Sequence, residues 1–116
     1  MKQITLGELI VKLHHDFGPE VMMQDYKAIA YAGNPDELCL MPKGRQITVG
    51  DFAAYLQYNV LYNKFEAYRD DEPCRFMSHD TPVWVDTHEK NYNNIAVVGL
   101  IYDGTVDLKT EKMSKD

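Results

Sequence analysis

No apolar stretch in this sequence comes near the roughly 20 residues that a membrane-crossing helix needs, so nothing in it reads as a helical membrane span. Cysteine is scarce, with 2 in 116 residues. Cys39 and Cys74 form no C-x-x-C, which excludes the common zinc-finger and dithiol redox signatures. In a reducing compartment both are expected to pack as small hydrophobes, and spacing leaves open whether the fold pairs them. Basic residues are outnumbered, 12 against 18 acids, for a net charge of −6. A grip on the nucleic-acid backbone needs clustered Lys and Arg, so general nucleic-acid binding is not expected. The densest acidic run, Asp70-Asp71-Glu72, sits between Arg69 and Arg75 and reads as a solvated turn, too sparse for DNA mimicry. There is no G-x-S-x-G, no H-E-x-x-H and no Walker phosphate loop. Met1-Lys2-Gln3-Ile4-Thr5 lacks the apolar core and cleavage site of a secretion signal, so the expected compartment is the cytoplasm.

What is present fits one domain. A chain of 116 residues that is 45% hydrophobic can bury one ordinary core without staples. Thr5 with Glu8 is a capping box, and Leu6, Leu9, Ile10, Leu13 and Phe17 recur at helical spacing until Gly18-Pro19, so residues 6–17 are expected as helix. Residues 20–32 alternate imperfectly and read as a strand bent near Asp25. Asn34-Pro35-Asp36 turns the chain into a short second strand over 37–41, and Pro42-Lys43-Gly44-Arg45 reads as a loop. The opening pattern then returns. Ile47-Thr48-Val49-Gly50-Asp51-Phe52 repeats Ile4-Thr5-Leu6-Gly7-Glu8-Leu9, and an amphipathic helix follows to about Tyr62. Two copies are too few for a solenoid, and reused capping chemistry explains them better than duplication. Strands are expected over 64–69, 75–77, 82–86 and 95–102, with a polar loop over 87–94. Asp103-Gly104 is a two-residue hairpin turn returning through 105–108, and residues 109–116 read as a frayed tail. The expected fold class is α+β, with two amphipathic helices on one face of a mostly antiparallel sheet of five to six strands. Its strand edges leave room for a small homo-oligomer.

Four segments together carry a resemblance: the Thr48-Val49-Gly50-Asp51 helix start, Phe65-Glu66-Ala67-Tyr68-Arg69, Asp80-Thr81-Pro82-Val83-Trp84-Val85, and Ile95-Ala96-Val97-Val98-Gly99. Over half to two thirds of the chain, this resembles a group of small uncharacterised proteins of bacteriophages, prophages and actinobacterial genomes. That group shows F-E-G-Y-K-G-G, an acidic residue and then T-P-[VL]-W-V. Ala67 and Asp70-Asp71 stand here where the group has glycines. The resemblance implies a context, a phage accessory protein in a bacterial host cytoplasm, and no catalytic residue.

Candidate chemistry is thin. The histidines fall in His14-His15-Asp16, His79-Asp80 and His88-Glu89 with no metal-site spacing, and neighbours on a helix point about 100° apart, so no metal or other cofactor is expected. Ser78-His79-Asp80 in a row does not make a triad, because triads assemble in space. The basic run Lys43-Gly44-Arg45 ahead of a helix start would suit phosphate, but Asp51 in the first turn opposes an anion. The strongest signal is aromatic. Eight tyrosines and one tryptophan offer rings for stacking, and cations lie among them. The expected ligand site is Tyr68, Trp84 and Tyr92 for a base, with Lys27, Arg45 and Arg69 for phosphate. The leading expectation is a non-catalytic binding protein that sequesters a small nucleotide signal in counter-defence. A second is direct binding of a bacterial host protein through residues 70–72 and 87–94. A third is a small metal-dependent hydrolase built on His79, Asp80, Asp86 and His88.

Overall fold

Thr5 starts α1 (Leu6–Asp16) as the capping box requires: its hydroxyl accepts from the Glu8 N–H at 3.2 Å, and the Glu8 carboxylate accepts from the Thr5 N–H at 3.2 Å. Leu6, Leu9, Ile10 and Leu13 are buried along one stripe. The computed structural model describes residues 2–31, 34–61, 77–85 and 95–113, with the backbone alone at 30–31 and 34–37. The expected strands at 64–69 and over 75–76, the loop at 87–94 and residues 114–116 lie outside the described residues.

Five strands follow: β1 (Met22–Tyr31), β2 (Asn34–Thr48), β3 (Val83–Val85), β4 (Ile95–Tyr102) and β5 (Val106–Lys112). They close into a barrel in the order β1-β2-β3-β4-β5. Pairing is antiparallel for β1–β2, β3–β4 and β4–β5, and parallel for β2–β3 and β5–β1. The chain is thus α+β with two helices and a mostly antiparallel five-stranded sheet. The expected layering of helices on one face of an open sheet is replaced by closure. Leu6, Leu9 and Leu13 of α1 and Val49, Phe52 and Leu56 after Thr48 join Met23, Leu38, Leu40, Val83, Val97 and Val106 in one interior cluster.

Three expectations change. Residues 42–45 are not a loop between elements but lie within β2, which runs to Thr48. The helix after Thr48 is shorter: α2 (Val49–Tyr55) passes into one π-helical stretch, Leu56–Val60, closed by the Leu61 N–H donating to the Leu56 carbonyl at 2.8 Å. Residues 109–112 are not frayed, because β5 pairs with β4 as far as Lys112 opposite Ile95. Thr105 belongs to the turn before β5, where its carbonyl accepts from the Asp103 N–H at 3.2 Å.

The repeated T-x-G-acid pattern has one local cause used twice. Thr5 pairs antiparallel with Pro82, and Thr48 with Met22. From each pair the strand turns directly into a helix. The Leu6 and Gly7 N–H groups donate to the carbonyls of Thr81 and His79, at 2.8 and 3.0 Å. The Val49 and Gly50 N–H groups donate to those of Val21 and Pro19, at 2.8 and 2.9 Å. Each helix start is therefore docked on a neighbouring segment, and its first N–H groups have protein partners. Glycine is needed second in each helix because the neighbour comes so close. A Cβ at Gly50 would stand 2.8 Å from the Pro19 Cβ, and one at Gly7 would stand 3.0 Å from the His79 Cβ. An anion at the start of α2 has no N–H left to bind.

Among the described residues, the joint between β1 and β5 has the fewest paired residues of the barrel. Among the described residues the two strands pair only at Met23 opposite Val106. Beyond that point side chains take over. The Ala28 N–H donates to the Tyr55 hydroxyl at 3.0 Å, and the Tyr26 hydroxyl donates to Asp107 Oδ1. The Phe52 ring lies 6.2 Å from both the Tyr26 and Tyr55 rings, within the range of favourable aromatic packing. Burial first, then the Asp107 hydrogen bond and its negative charge, push the Tyr26 phenol above its ordinary pKa. The folded chain therefore keeps this proton at a pH where the unfolded chain has lost it. The contribution is fully present below the unfolded value of about 10 and is lost as pH rises beyond it, at about 1.4 kcal/mol per pH unit. Urea midpoints measured on either side of about pH 10 should fall more steeply for the parent than for Tyr26→Phe. Equal slopes would show that the joint does not shield this group.

Candidate groove across α1

The outward face of α1 carries Glu8, Val11, Lys12 and His15, the complement of its buried stripe. Two concavities open along this face. One, of about 490 Å³, lies between the start of α1 and the 78–81 turn, with Thr5, Glu8, Lys12 and Asp80 on its rim. The other, of about 550 Å³, lies between the second half of α1 and the π segment, with His14, His15, Gln57 and Tyr58 on its rim and Ile10 and Leu61 beneath. Val11 and His79 line both, so the two read as one groove crossing the helix.

Each wall has a local reason. The 78–81 turn is held by the Ser78 N–H donating to Thr81 Oγ1 at 2.8 Å and the Asp80 N–H donating to Ser78 Oγ at 3.3 Å. Ser78-His79-Asp80 is thus a hydroxyl-stabilised turn, and the Gly7 contact sets His79 against the helix start. On the far wall, the wide π turn buries Leu56, Val60 and Leu61 while leaving Gln57 and Tyr58 exposed. Single π turns inside helices recur at functional sites. Val11 and Tyr58 are among the chain's exposed large apolar side chains, and both line the groove.

The groove's polarity is uneven. Glu8 and Asp80 stand at one end, while the other holds three imidazoles, an amide and a phenol and no carboxylate. The imidazoles do not converge: no group of three or more metal-ligating side chains occurs among the described residues. Asp86 and His88, the other expected members of a metal site, lie outside the described residues.

No protein-family model, curated protein or solved structure matches the chain. The groove's chemistry is therefore read from its own residues.

The expected ligand site is placed only in part. Tyr68, Arg69 and Tyr92 lie outside the described residues. Lys27 is exposed on β1, opposite Met41. Trp84 is 4% exposed and forms a small second cluster with Cys39 and Ala96, against which Ile29 and Met113 pack. Its neighbours Val83 and Val85 belong to the interior cluster, so strand alternation places Trp84 on the barrel's outer side. Buried there, the indole does not offer a face for stacking. Arg45 is exposed and ion-paired to Asp25, with its Nε 3.0 Å from Asp25 Oδ2. None of these three lines the α1 groove. Among the described residues, no helix is long and apolar enough to cross a membrane.

Proposed function

We propose that the chain is a non-catalytic binding protein of the accessory kind that phages carry, acting in counter-defence within a bacterial host by sequestering a nucleotide signal in the α1 groove. The observation that carries this reading is the groove itself. Its two concavities each fall within the range of about 300–1,000 Å³ typical of small-ligand sites. Ile10, Val11 and Leu61 give it an apolar floor. Tyr58 supplies a flat ring for a base, Lys12 and the imidazoles suit phosphate oxygens, and Glu8 and Asp80 accept from amino or hydroxyl groups.

The test is a thermal-shift screen of the purified chain against linear and cyclic nucleotides. A ligand at about 100 times its dissociation constant adds about 2.7 kcal/mol, a shift of several degrees for a domain of this size. Tyr58→Ala should remove the shift while leaving the ligand-free free energy of unfolding within about 0.5 kcal/mol of the parent, as for an exposed site. A panel without a single shift would end this reading.

A second reading, direct binding of a host protein, has its own observation. Ile101 and Tyr102 of β4 and Met22 of β1 are exposed, and Phe17 packs on Tyr102 with ring centroids 6.0 Å apart. Exposed aromatic and apolar groups of this kind anchor protein interfaces. A bacterial partner retained by the parent and released by Tyr102→Ala would favour it.

A further inference from the structure

β1 and β2 lose register around Asp25. Gln24 pairs with Gln46, whereas Tyr26 pairs with Pro42, so Lys43-Gly44-Arg45 arches opposite the single residue Asp25. Gly44 permits the arch with φ at +72°. The Asp25 carboxylate beneath is 3% exposed, and both bases converge on one of its oxygens, Arg45 Nε at 3.0 Å and Lys43 Nζ at 3.5 Å. Lys43 also lies over the Tyr55 ring, 5.8 Å from its centroid.

The Arg45 contact has a specific consequence. Asp25 takes the Nε–H, and the Arg45 side chain remains 68% exposed. Held at Nε, a guanidinium keeps its end-on edge, one N–H from each amino group, directed away from the anchoring carboxylate, and no bond to that edge occurs among the described residues. Two coplanar amino groups fixed in this way match the oxygens of a phosphate bidentately. Lys27 adds a further cation. It stands opposite Met41, two residues from Lys43 along β2 and two from Asp25 along β1.

We propose that this arch is an oxyanion-docking site for the phosphate of a small phosphorylated ligand, with Arg45 as the contact residue, Asp25 as its positioning residue, and Lys43 and Lys27 supplying charge. Charge matching selects phosphate over a lone carboxylate. Three cations against one carboxylate leave a surplus of two positive charges, and a phosphate monoester carries about −1.5 to −2 at neutral pH. The site stands apart from the α1 groove, shares no residue with it and does not depend on the nucleotide reading.

The experiment follows the Arg45 Nε–H resonance in the full ¹⁵N-labelled chain during titration with inorganic phosphate, and with acetate at matched ionic strength. Saturable movement with phosphate and none with acetate is expected. Arg45→Lys keeps the charge and loses the fork. Followed by the amide resonances of 43–46, it should bind phosphate at least about ten-fold more weakly, as loss of a charged hydrogen bond implies. Lys27→Gln, at an exposed position, should weaken binding by about two- to five-fold, the range of a surface ion pair. Tyr58→Ala in the groove should leave the titration unchanged. Asp25→Asn should broaden the Arg45 resonance and weaken phosphate binding. Should that variant fail to fold, the Arg45→Lys and Lys27→Gln titrations decide alone. Equal responses to acetate and phosphate, or parental phosphate affinity in Arg45→Lys, would overturn the proposal.

Discussion

Replacing Phe52 with alanine should lower the free energy of unfolding by about 3–5 kcal/mol, the range for truncating a buried aromatic side chain. Phe52 is fully buried and is the largest side chain so enclosed among the described residues. It packs on Tyr26, whose hydroxyl bridges β1 to β5, and on Tyr55, whose hydroxyl ties α2 to Ala28 of β1. With domains of this size stable by about 5–15 kcal/mol, such a loss should lower the melting temperature by about 10 °C or more. Urea unfolding measures it directly. A cost below about 2 kcal/mol would mean that the ring is not the plug its position implies.

Gly50→Ala should destabilise by about 1–3 kcal/mol, the cost of overpacking, although the same change inside an exposed helix ordinarily gains up to about 1 kcal/mol. The reversal comes from the docked helix start. The added carbon would stand 2.8 Å from the Pro19 Cβ and 3.1 Å from its carbonyl oxygen, and neither a proline ring nor a backbone carbonyl swings aside. The Gly50 N–H bond to that carbonyl would lengthen with the displacement. Gly7→Ala should act in the same direction more weakly, because its closest approaches, to the His79 Cβ and Nδ1, are 3.0 Å. Paired urea titrations test both, and a stabilised Gly50→Ala would show that the Pro19 segment yields freely.

Much of the local structure was legible in the residues. The capping box and apolar stripe placed α1 within one residue of its end, and the most apolar run placed β4 at both boundaries. The bend expected near Asp25 is the register shift of β1. Barrel closure was not legible, because the parallel β2–β3 and β5–β1 pairings join segments far apart in sequence and no local signal records them. Pro42 and Gly44 read as loop punctuation although the strand continues through an arch. Charged residues from Lys109 onward read as a frayed end although their backbone pairs with β4. The helical run after Thr48 was expected to about Tyr62 and is helical to Val60, but its change to π geometry at Leu56 was not legible, because apolar spacing continues through it.

The site was harder still. Trp84 reads as an exposed ring in its motif, yet an outward position on β3 is covered by Cys39, Ala96, Ile29 and Met113. Arg45 was expected as a phosphate partner, but the buried Asp25 carboxylate that holds its Nε left no signal in the sequence. The groove left no linear trace, since a helix's polar face, a hydroxyl-held turn and a π turn share it. The one hint was Val11, an aliphatic side chain among Glu8, Lys12 and His15.

The β1–β5 joint also bears on the order of assembly. β1 and β2 are hairpin partners, as are β4 and β5, and each pair forms by closing a short loop. Met23 meets Val106 only after nearly the whole chain has been gathered, so that contact carries the largest loop-closure entropy in the barrel. The joint is therefore the last part of the sheet to zip and the first to part. Kinetic φ-values near zero for Tyr26→Phe, against substantial ones within the β4–β5 hairpin, would be its signature in refolding.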